Sequence, residues 1–276
     1  MAPSSLDNAL PLEGPSTVAP LPLRARRVLA SLWHIRRIFS LEKAPDPSRP
    51  KDILSAWFED FLSLLDVEIR LSGERPATTA FLIVANHTSW LDIMVLRALF
   101  PTCFIAKEEI ASWPVVGPMA REAGTIFIGR GRLSSFRDTL VAARASMDRN
   151  VPITVFPEGT TTRGDRLLPF KTGVFELCTE TGRPALPVSL RYEDPAGRQL
   201  LSVSYTGNEH FFRSFGRTLR EPRVVVRVHL SPPLSPPLSP EGRDRKSLSQ
   251  AAQEAVSGGL ALLAQSRPPA PPAKRG

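Results

Sequence analysis

The chain is poor in the residues that mark several classes of protein. It contains only two cysteines among 276 residues, Cys103 and Cys178, which supply neither a disulfide framework nor a CxxC redox motif. We expect both thiols to be reduced and buried, as is usual in the cytosol. The four histidines are scattered and lack the spacing of an HExxH zinc site, so the sequence predicts no metal centre.

Long apolar runs and a secretory leader are also missing. No stretch reaches the roughly 18 uncharged apolar residues that a membrane-spanning helix needs. The first residues lack a basic start followed by an apolar core, so they do not predict a secretory signal. A G-x-S-x-G nucleophile elbow is absent as well. Any contact with a membrane is therefore expected at the membrane surface.

Basic residues are what the chain has in excess. The formal net charge is +8, and the 29 arginines greatly outnumber the 6 lysines. A basic excess is typical of proteins that meet phosphate, whether in nucleic acid, in a phospholipid surface or in a phosphorylated substrate. Solvated surface charge explains the same count equally well, so composition alone leaves these alternatives open.

The order of segments predicts one main domain with additions at both ends. Residues 1–22 are rich in proline and small polar residues and predict a disordered N-terminus. Residues 23–65 predict two amphipathic helices, the first of which combines five arginines with apolar residues at helical spacing. Such a helix suits a lipid headgroup layer, although a helix that caps the core is the alternative. Residues 66–230 predict the main domain, and residues 231–276 a proline-rich linker and a C-terminal tail.

Strands alternate with helices along the main domain. Predicted strands cover residues 81–85, 102–107, 124–129, 185–192, 200–207 and 223–230, and residues 151–159 predict a strand that runs into a loop. Predicted helices cover residues 21–41, 51–71, 88–100, 134–149 and 173–182, and a last one over 246–266 is interrupted at Gly258 and Gly259. This alternation is typical of an α/β fold with a mainly parallel central sheet flanked by helices.

His87 and Asp92 form the first candidate site. The motif NHTSWLD places His87 at the end of a buried strand and Asp92 in the first turn of the next helix, which Ser89 caps in the manner of a capping box. Histidine exchanges protons near neutral pH, and a carboxylate can keep one ring nitrogen protonated while the other acts as a base. A core histidine beside a capping carboxylate is the structural alternative.

Two further strand ends carry candidate binding groups. Residues 154–164 run from an apolar strand into a loop with glycine and hydroxyls, which can present backbone N–H groups to an anion. Glu158 stands out in that loop, because it repels bare phosphate but can bind a hydroxyl or orient a cation. Arg130 follows the strand in GTIFIGR, and arginine suits bidentate phosphate contacts. Taken singly, the loop is explained equally well by an ordinary turn, and an isolated arginine is more often an ordinary surface residue.

Together these motifs resemble the glycerolipid acyltransferase family, whose best-known members are 1-acylglycerol-3-phosphate acyltransferases. NHTSWLD, GTIFIGR, FPEGTT and ALPV occur in the expected order, and the resemblance covers roughly residues 53–230. Further positions that match the usual pattern are Lys107, Glu109, Pro114, Gly117, Lys171 and Gly173. The resemblance implies an α/β fold with an acyl groove and no cofactor.

The resemblance also implies roles for individual residues. His87 corresponds to the general base and Asp92 to its orienting partner. The residues implied to bind substrate are Lys107, Arg130, Glu158, Gly159, Thr160 and Arg163, and Pro187 marks the fourth motif. The implied reaction is direct acyl transfer from acyl-ACP or acyl-CoA to the free hydroxyl of a lysolipid. The implied location is peripheral or monotopic on the cytoplasmic face of a bacterial membrane, and nucleic acid is not an implied partner.

The loop after Glu-Gly-Thr departs from the family pattern. Many phosphatidate-forming members have arginine directly after this tripeptide, whereas this chain has Thr161 there and Arg163 two residues later. The acceptor implied first is 1-acyl-sn-glycerol-3-phosphate, which would give phosphatidic acid in phospholipid biosynthesis. Lyso-ornithine lipid, which carries no phosphate, is the alternative acceptor, and a non-catalytic membrane-binding relative is the alternative outside the enzymes.

Overall fold

A computed structural model gives the fold of the chain over seven stretches. These are residues 18–38, 53–78, 80–113, 116–129, 133–206, 209–236 and 245–266. Most of the predicted disordered N-terminus, much of the proline-rich linker, Pro114 and Arg130 lie outside the described residues.

The described residues form eight α-helices, seven strands and two 3₁₀ helices. The α-helices are α1 (Leu21–Ile38), α2 (Ile53–Leu64), α3 (Leu91–Leu99), α4 (Val116–Glu122), α5 (Leu133–Asp148), α6 (Glu176–Thr181), α7 (Phe211–Thr218) and α8 (Arg245–Gln265). The strands are β1 (Val67–Ser72), β2 (Leu82–Ala85), β3 (Cys103–Lys107), β4 (Ile126–Ile128), β5 (Ile153–Val155), β6 (Ala185–Glu193) and β7 (Val224–Leu230). The 3₁₀ helices are Glu108–Ser112 and Gly173–Phe175.

The strands make one mainly parallel sheet, as predicted. Their order is β1-β7-β6-β2-β5-β3-β4. Strands β6, β2, β5, β3 and β4 run in one direction, whereas β7 is antiparallel to β6 and parallel to β1. The carboxyl ends of β2, β3, β4 and β5, which lead into the predicted motifs, therefore lie along one edge of the sheet.

Helices cover both faces of this sheet. On one face α2 and α3 pack against the sheet through a core rich in aromatic residues. On the other face α5, α6 and α8 bury their apolar sides. Strand β2 lies between these layers with all four residues fully buried, which explains its uninterrupted apolar sequence.

Two predicted segments are wrong. Residues 51–71 were predicted as one helix, but α2 ends at Leu64 and the edge strand β1 begins at Val67, because Asp66 adopts a left-handed φ of 59° that turns the chain. Residues 200–207 were predicted as a strand, but residues 200–206 are irregular. Helices α4 and α7 lie where no element was predicted.

Helix α1 buries polar side chains and leaves several apolar ones exposed. The guanidinium of Arg27 is buried and donates to the backbone carbonyls of Glu221 (2.7 Å) and Pro222 (2.8 Å). By contrast, Leu29 and Trp33 are 69% and 63% exposed. Ile35 packs against the core, so α1 both covers the core and presents apolar side chains to solvent. No helix among the described residues is long and apolar enough to cross a membrane.

Helix α2, predicted as a second interfacial helix, belongs to the core. Its Trp57 and Phe61 rings are buried and stack at 5.5 Å, and both rings also stack on His34 of α1. The Nε1 of Trp57 donates to the backbone carbonyl of His34 at 3.0 Å. The exposed apolar surface of the N-terminal segment is therefore mainly that of α1, with Ile53 at the start of α2.

Helix α8 is continuous through the glycine pair, contrary to the prediction. A Cβ at Gly259 would overlap the Ser189 hydroxyl of β6, which donates to the Val256 carbonyl at 2.8 Å. A Cβ at Gly258 would meet nothing within 4 Å. Gly259 therefore allows α8 to approach the sheet, and the fold includes a helix beyond the predicted domain boundary.

We predict opposite effects of alanine at the two glycines. Gly258→Ala should stabilise the protein by about 0.5–1 kcal/mol, because glycine costs that much relative to alanine in a helix interior. Gly259→Ala should destabilise it by about 1–3 kcal/mol, because the added methyl displaces Ser189. Urea denaturation of both variants measures the two changes in unfolding free energy. Equal stabilisation at both positions would contradict the close packing of α8 on β6.

Candidate active site

The turn between β2 and α3 holds His87 and Asp92 side by side. The imidazole Nδ1 lies 2.7 Å from Asp92 Oδ2. The Asp92 side chain is fully buried, whereas the His87 side chain is 19% exposed. The pair predicted from a spacing of five residues is therefore assembled, with only the imidazole accessible to a ligand.

Four hydrogen-bond donors surround the Asp92 carboxylate. Its Oδ2 accepts the backbone N–H groups of Thr88 (2.7 Å) and Ser89 (2.9 Å) as well as His87 Nδ1. Its Oδ1 accepts the Tyr192 hydroxyl at 2.6 Å. Backbone N–H groups only donate, so the carboxylate oxygens act here as acceptors. With Asp92 accepting, Nδ1 is the donor of the His87–Asp92 bond, and the neutral ring keeps Nε2 free to accept a proton.

The predicted capping box forms in part. Asp92 accepts the Ser89 backbone N–H, as a capping box requires. The Ser89 hydroxyl, however, accepts from the Leu91 N–H (3.2 Å) and donates to the Val203 carbonyl (2.7 Å). The N-cap residue is Trp90, which makes no side-chain capping bond. Asp92 therefore bonds both to the backbone before α3 and to the His87 ring.

Tyr192 is a site residue that the sequence analysis missed. Burial raises the pKa of its phenol well above the ordinary value, and the Asp92 charge raises it further, so Tyr192 stays protonated and donates. Strand β6 pairs in parallel with β2, which brings the end of β6 to the edge that carries His87. A polar aromatic residue at the end of a strand was the available signal.

Phe156 fixes the plane of the His87 ring. The two rings stack with centroids 3.9 Å apart and an interplanar angle of 13°. Phe104 of β3 continues the stack, 6.4 Å from Phe156. This packing covers one face of the imidazole and restricts its rotation. The sequence analysis did not single out Phe156, although it directly precedes the Pro-Glu-Gly turn.

Glu158 joins two backbone segments. Its carboxylate accepts the backbone N–H groups of His87 (2.7 Å) and Leu168 (2.9 Å), and its side chain is almost completely buried. Burial raises the pKa of this carboxyl group, an effect that the two N–H donors oppose. Glu158 therefore ties the loop after β5 to the turn that carries His87.

Backbone N–H groups of the same loop are also used internally. The Gly159 N–H donates to the Phe156 carbonyl (2.9 Å), and the Thr162 N–H donates to the His87 carbonyl (2.8 Å). Gly159 has a φ of 70°, a left-handed conformation that favours glycine. Thr160 is exposed in this turn. The Thr162 N–H therefore joins this loop to the turn that carries His87.

A cavity of about 220 Å³ lies beside the turn that carries His87, and side chains of both charge signs line it. Its lining includes Thr88, Arg163, Asp165, Arg166 and Gln199. The Thr88 hydroxyl is buried and has no hydrogen-bond partner among the described residues. Arg163 is thus placed beside a space that can hold a polar headgroup.

Two other residues predicted to bind substrate, Lys107 and Arg130, come at or just after the end of a strand in the sequence. Lys107 ends β3 at the same sheet edge, paired in register with Ile128 of β4. Arg130, beyond the end of β4, lies outside the described residues. Within the described stretches, no group of three His, Cys, Asp or Glu residues could hold a metal ion.

The fold and the His87–Asp92 site define an acyltransferase. Residues 66–191 match the Acyltransferase family. The chain is 36% identical over 213 residues to the lyso-ornithine lipid O-acyltransferase of Pseudomonas aeruginosa, covering 77% of this chain and 79% of that protein. It is 39% identical over 196 residues to the 1-acyl-sn-glycerol-3-phosphate acyltransferase of Neisseria meningitidis serogroup B, covering 71% and 75%. The chain therefore belongs to the acyltransferase family, and it is an O-acyltransferase.

A solved structure shares the fold. The crystal structure of the 1-acyl-sn-glycerophosphate acyltransferase PlsC from Thermotoga maritima superposes with a TM-score of 0.63 at 21% sequence identity. The match covers 89% of this chain and 96% of that chain. The predicted α/β architecture is thus confirmed.

We predict that Tyr192→Phe lowers kcat/KM by roughly ten- to a hundredfold, because Asp92 loses the donor that fixes its carboxylate against His87 Nδ1, and a hydrogen bond to a charged group contributes about 1.5–3 kcal/mol. The loss should appear across the whole pH range, because it comes from the position of Asp92. Rates measured across the pH range check both the size and the pH dependence of the loss.

The matched control is Tyr205→Phe, the same chemical change at the only other tyrosine. Its backbone N–H, which donates to the Thr88 carbonyl at 2.8 Å, is unaffected by the substitution. This variant should keep the wild-type rate. A Tyr192→Phe enzyme with the wild-type rate across the pH range would show that the hydroxyl does not position Asp92.

Proposed function

We propose that the protein transfers a fatty acyl group from acyl-ACP or acyl-CoA to the free hydroxyl of a lysolipid at a membrane surface. The first-choice acceptor is 1-acyl-sn-glycerol-3-phosphate, which gives phosphatidic acid. The observation that carries the proposal is the ring orientation of His87, whose Nδ1 is bonded to the buried Asp92 carboxylate. The relatives named for acylation of lysolipids support the same class of substrate.

The proposed chemistry needs no covalent enzyme intermediate. Nε2 of His87 takes the proton of the acceptor hydroxyl while its oxygen attacks the thioester carbonyl. The tetrahedral intermediate then expels the thiolate. The thiolate takes the proton from the imidazolium and leaves as the thiol, which restores the neutral imidazole. Asp92 stabilises the imidazolium, as in other carboxylate–histidine pairs. A positioned general base contributes typically about 10² to 10⁴ in rate.

The arginines beside the cavity support a phosphorylated acceptor. Arg163 and Arg166 line the cavity next to Thr88 and have exposed side chains. In the proposed complex Arg163 binds the phosphate of the acceptor. A guanidinium–phosphate contact is a charge-assisted hydrogen bond that also orients the ligand.

One observation favours lyso-ornithine lipid as the second candidate acceptor. Asp165 lies in the same lining as Arg163, so the cavity offers a carboxylate to an amine and a guanidinium to a carboxylate. A zwitterionic headgroup is complementary to both charges, whereas a phosphate is repelled by Asp165. The lyso-ornithine lipid O-acyltransferase of Pseudomonas aeruginosa is among the relatives.

Two substitutions separate these acceptors. If lysophosphatidate is the substrate, Arg163→Ala should lower its kcat/KM by roughly ten- to a hundredfold, through the loss of a contact worth about 1.5–3 kcal/mol. Asp165→Asn should leave that value equal or higher, because a repulsive charge is removed. If lyso-ornithine lipid is the substrate, Asp165→Asn should instead lower kcat/KM.

The measurement is kcat/KM for both lipids with one acyl donor. His87→Ala, which should be inactive with either lipid, provides the background rate. A wild-type enzyme that acylates lyso-ornithine lipid and ignores lysophosphatidate would overturn the first-choice acceptor. An active His87→Ala enzyme would overturn the proposed mechanism.

The exposed apolar face of α1 supports the proposed membrane surface. Leu29, Leu32 and Trp33 are exposed together with Arg26 and Arg36. Apolar side chains beside cations are what an anionic headgroup layer accommodates. We propose that α1 lies in this layer on the cytoplasmic side, where acyl thioesters are available.

We predict that Leu29→Glu/Trp33→Glu weakens vesicle binding at least about tenfold, because two apolar side chains no longer enter the lipid. Both positions are exposed, so the fold should persist. Flotation with anionic vesicles measures the bound fraction. The control is Val141→Glu, at an exposed apolar position of α5. Undiminished flotation of the double variant would exclude α1 as the membrane contact.

A further inference from the structure

We propose that α7 is a second lipid-contacting element, which places Phe212 in the headgroup layer of an anionic membrane beside the active site. This inference rests on the proposed reaction at a membrane surface. Neither the sequence motifs nor the predicted interfacial segment includes α7. Three features of α7 support the inference: its outer face, its contact with α1 and its contact with the turn that carries His87.

The outer face of α7 combines an aromatic ring with positive charge. Phe212 is 63% exposed, and the neighbouring side chains of His210 and Arg213 are exposed as well. The nearby acidic residue Glu209 is mostly buried and bonded to Arg217 of the same helix. Arg213 therefore gives this face a positive charge, and an exposed phenylalanine beside an arginine matches an anionic lipid interface.

The inner face of α7 packs on the catalytic motif. Phe211 and Phe215 lie with their rings 5.5 Å and 5.7 Å from that of Trp90, within NHTSWLD. Phe212 therefore projects from a helix that lies directly on the turn carrying His87. A lipid surface held at this position would present its acceptor near the catalytic base.

The segment after α7 is also the docking site of α1. The Arg27 guanidinium donates to the Glu221 carbonyl (2.7 Å), and the Ala19 N–H donates to the Arg220 carbonyl (2.7 Å). Helix α1, with its exposed apolar face, is thus anchored to the end of α7. This continuity favours a lipid surface over a separate protein partner as the occupant of the α7 face.

Arg217 connects α7 to the loop that supports the catalytic turn. Its guanidinium donates to the carbonyls of Ser202 (2.8 Å) and Ser204. In the same loop, the Tyr205 N–H donates to the Thr88 carbonyl (2.8 Å), and the Ser204 hydroxyl donates to the Arg163 carbonyl (3.1 Å). Hydrogen bonds through this loop therefore connect α7 to Thr88, in the turn that carries His87, and to Arg163, beside the cavity.

The test is a fluorescent label at Phe212 in the full-length protein. The variant Phe212→Cys is labelled with bimane, whose emission shifts to the blue when it leaves water. Native Cys103 and Cys178 are buried, and burial raises the pKa of Cys178 to about 12, so neither competes for the label. Labelled Val141→Cys on α5 is the matched control, and labelled Leu29→Cys reports on α1.

Vesicles containing phosphatidylglycerol should shift the emission at Phe212→Cys and at Leu29→Cys but not at Val141→Cys. In addition, Phe212→Ser should weaken binding to these vesicles by about tenfold, whereas Val141→Ser should leave it unchanged. A shift at Leu29→Cys with none at Phe212→Cys would overturn the α7 proposal and leave the proposed function intact. Absence of both shifts would overturn the membrane-surface reaction itself.

Other occupants of the α7 face give different results. If a blue shift at Phe212→Cys required acyl carrier protein and did not occur with vesicles, the face would bind the acyl donor, and the lipid proposal would be wrong. A shift that grew with protein concentration alone would identify a second copy of the chain. Either result contradicts the proposal.

Discussion

The buried charge of Asp92 is the constraint on which the site depends. A carboxylate removed from water is strongly destabilised unless donors replace its hydration. Here the replacement comes from the imidazole of His87, two N–H groups of the turn after β2, and Tyr192 at the end of β6. Satisfying one charge therefore aligns the β2 turn, the start of α3 and β6, and orients the proposed base.

A second set of contacts holds that turn from outside. Glu158 accepts the backbone N–H of His87, and Phe156 stacks on its ring, so the loop after β5 fixes both the backbone and the side chain. On the other side, Arg217 of α7 holds the loop whose Tyr205 N–H bonds to Thr88. The imidazole is thus accessible while its backbone and ring are both held in place, which suits the proposed base.

Short-range patterns were sufficient for part of this structure. The His87–Asp92 pair spans five residues, and β2 is a continuous apolar run, so both could be predicted. Tyr192 lies 100 residues from Asp92, and only the pairing of β6 with β2 brings it near. Helix α2 and β1 were merged because their apolar residues follow one another without a break, and the left-handed Asp66 separates them. The buried Arg27 likewise depends on carbonyls almost 200 residues away.

The central claim is that Asp92 holds the Nδ1 proton of His87 and leaves Nε2 as the base. Nitrogen-15 NMR of histidine-labelled protein, assigned by comparison with His87→Gln, measures this tautomer directly. At a pH where the ring is neutral, we predict a protonated Nδ1 and an unprotonated Nε2, with the two signals approaching each other in Asp92→Asn as the preference is lost. A protonated Nε2 and bare Nδ1 in the wild-type protein would contradict the account.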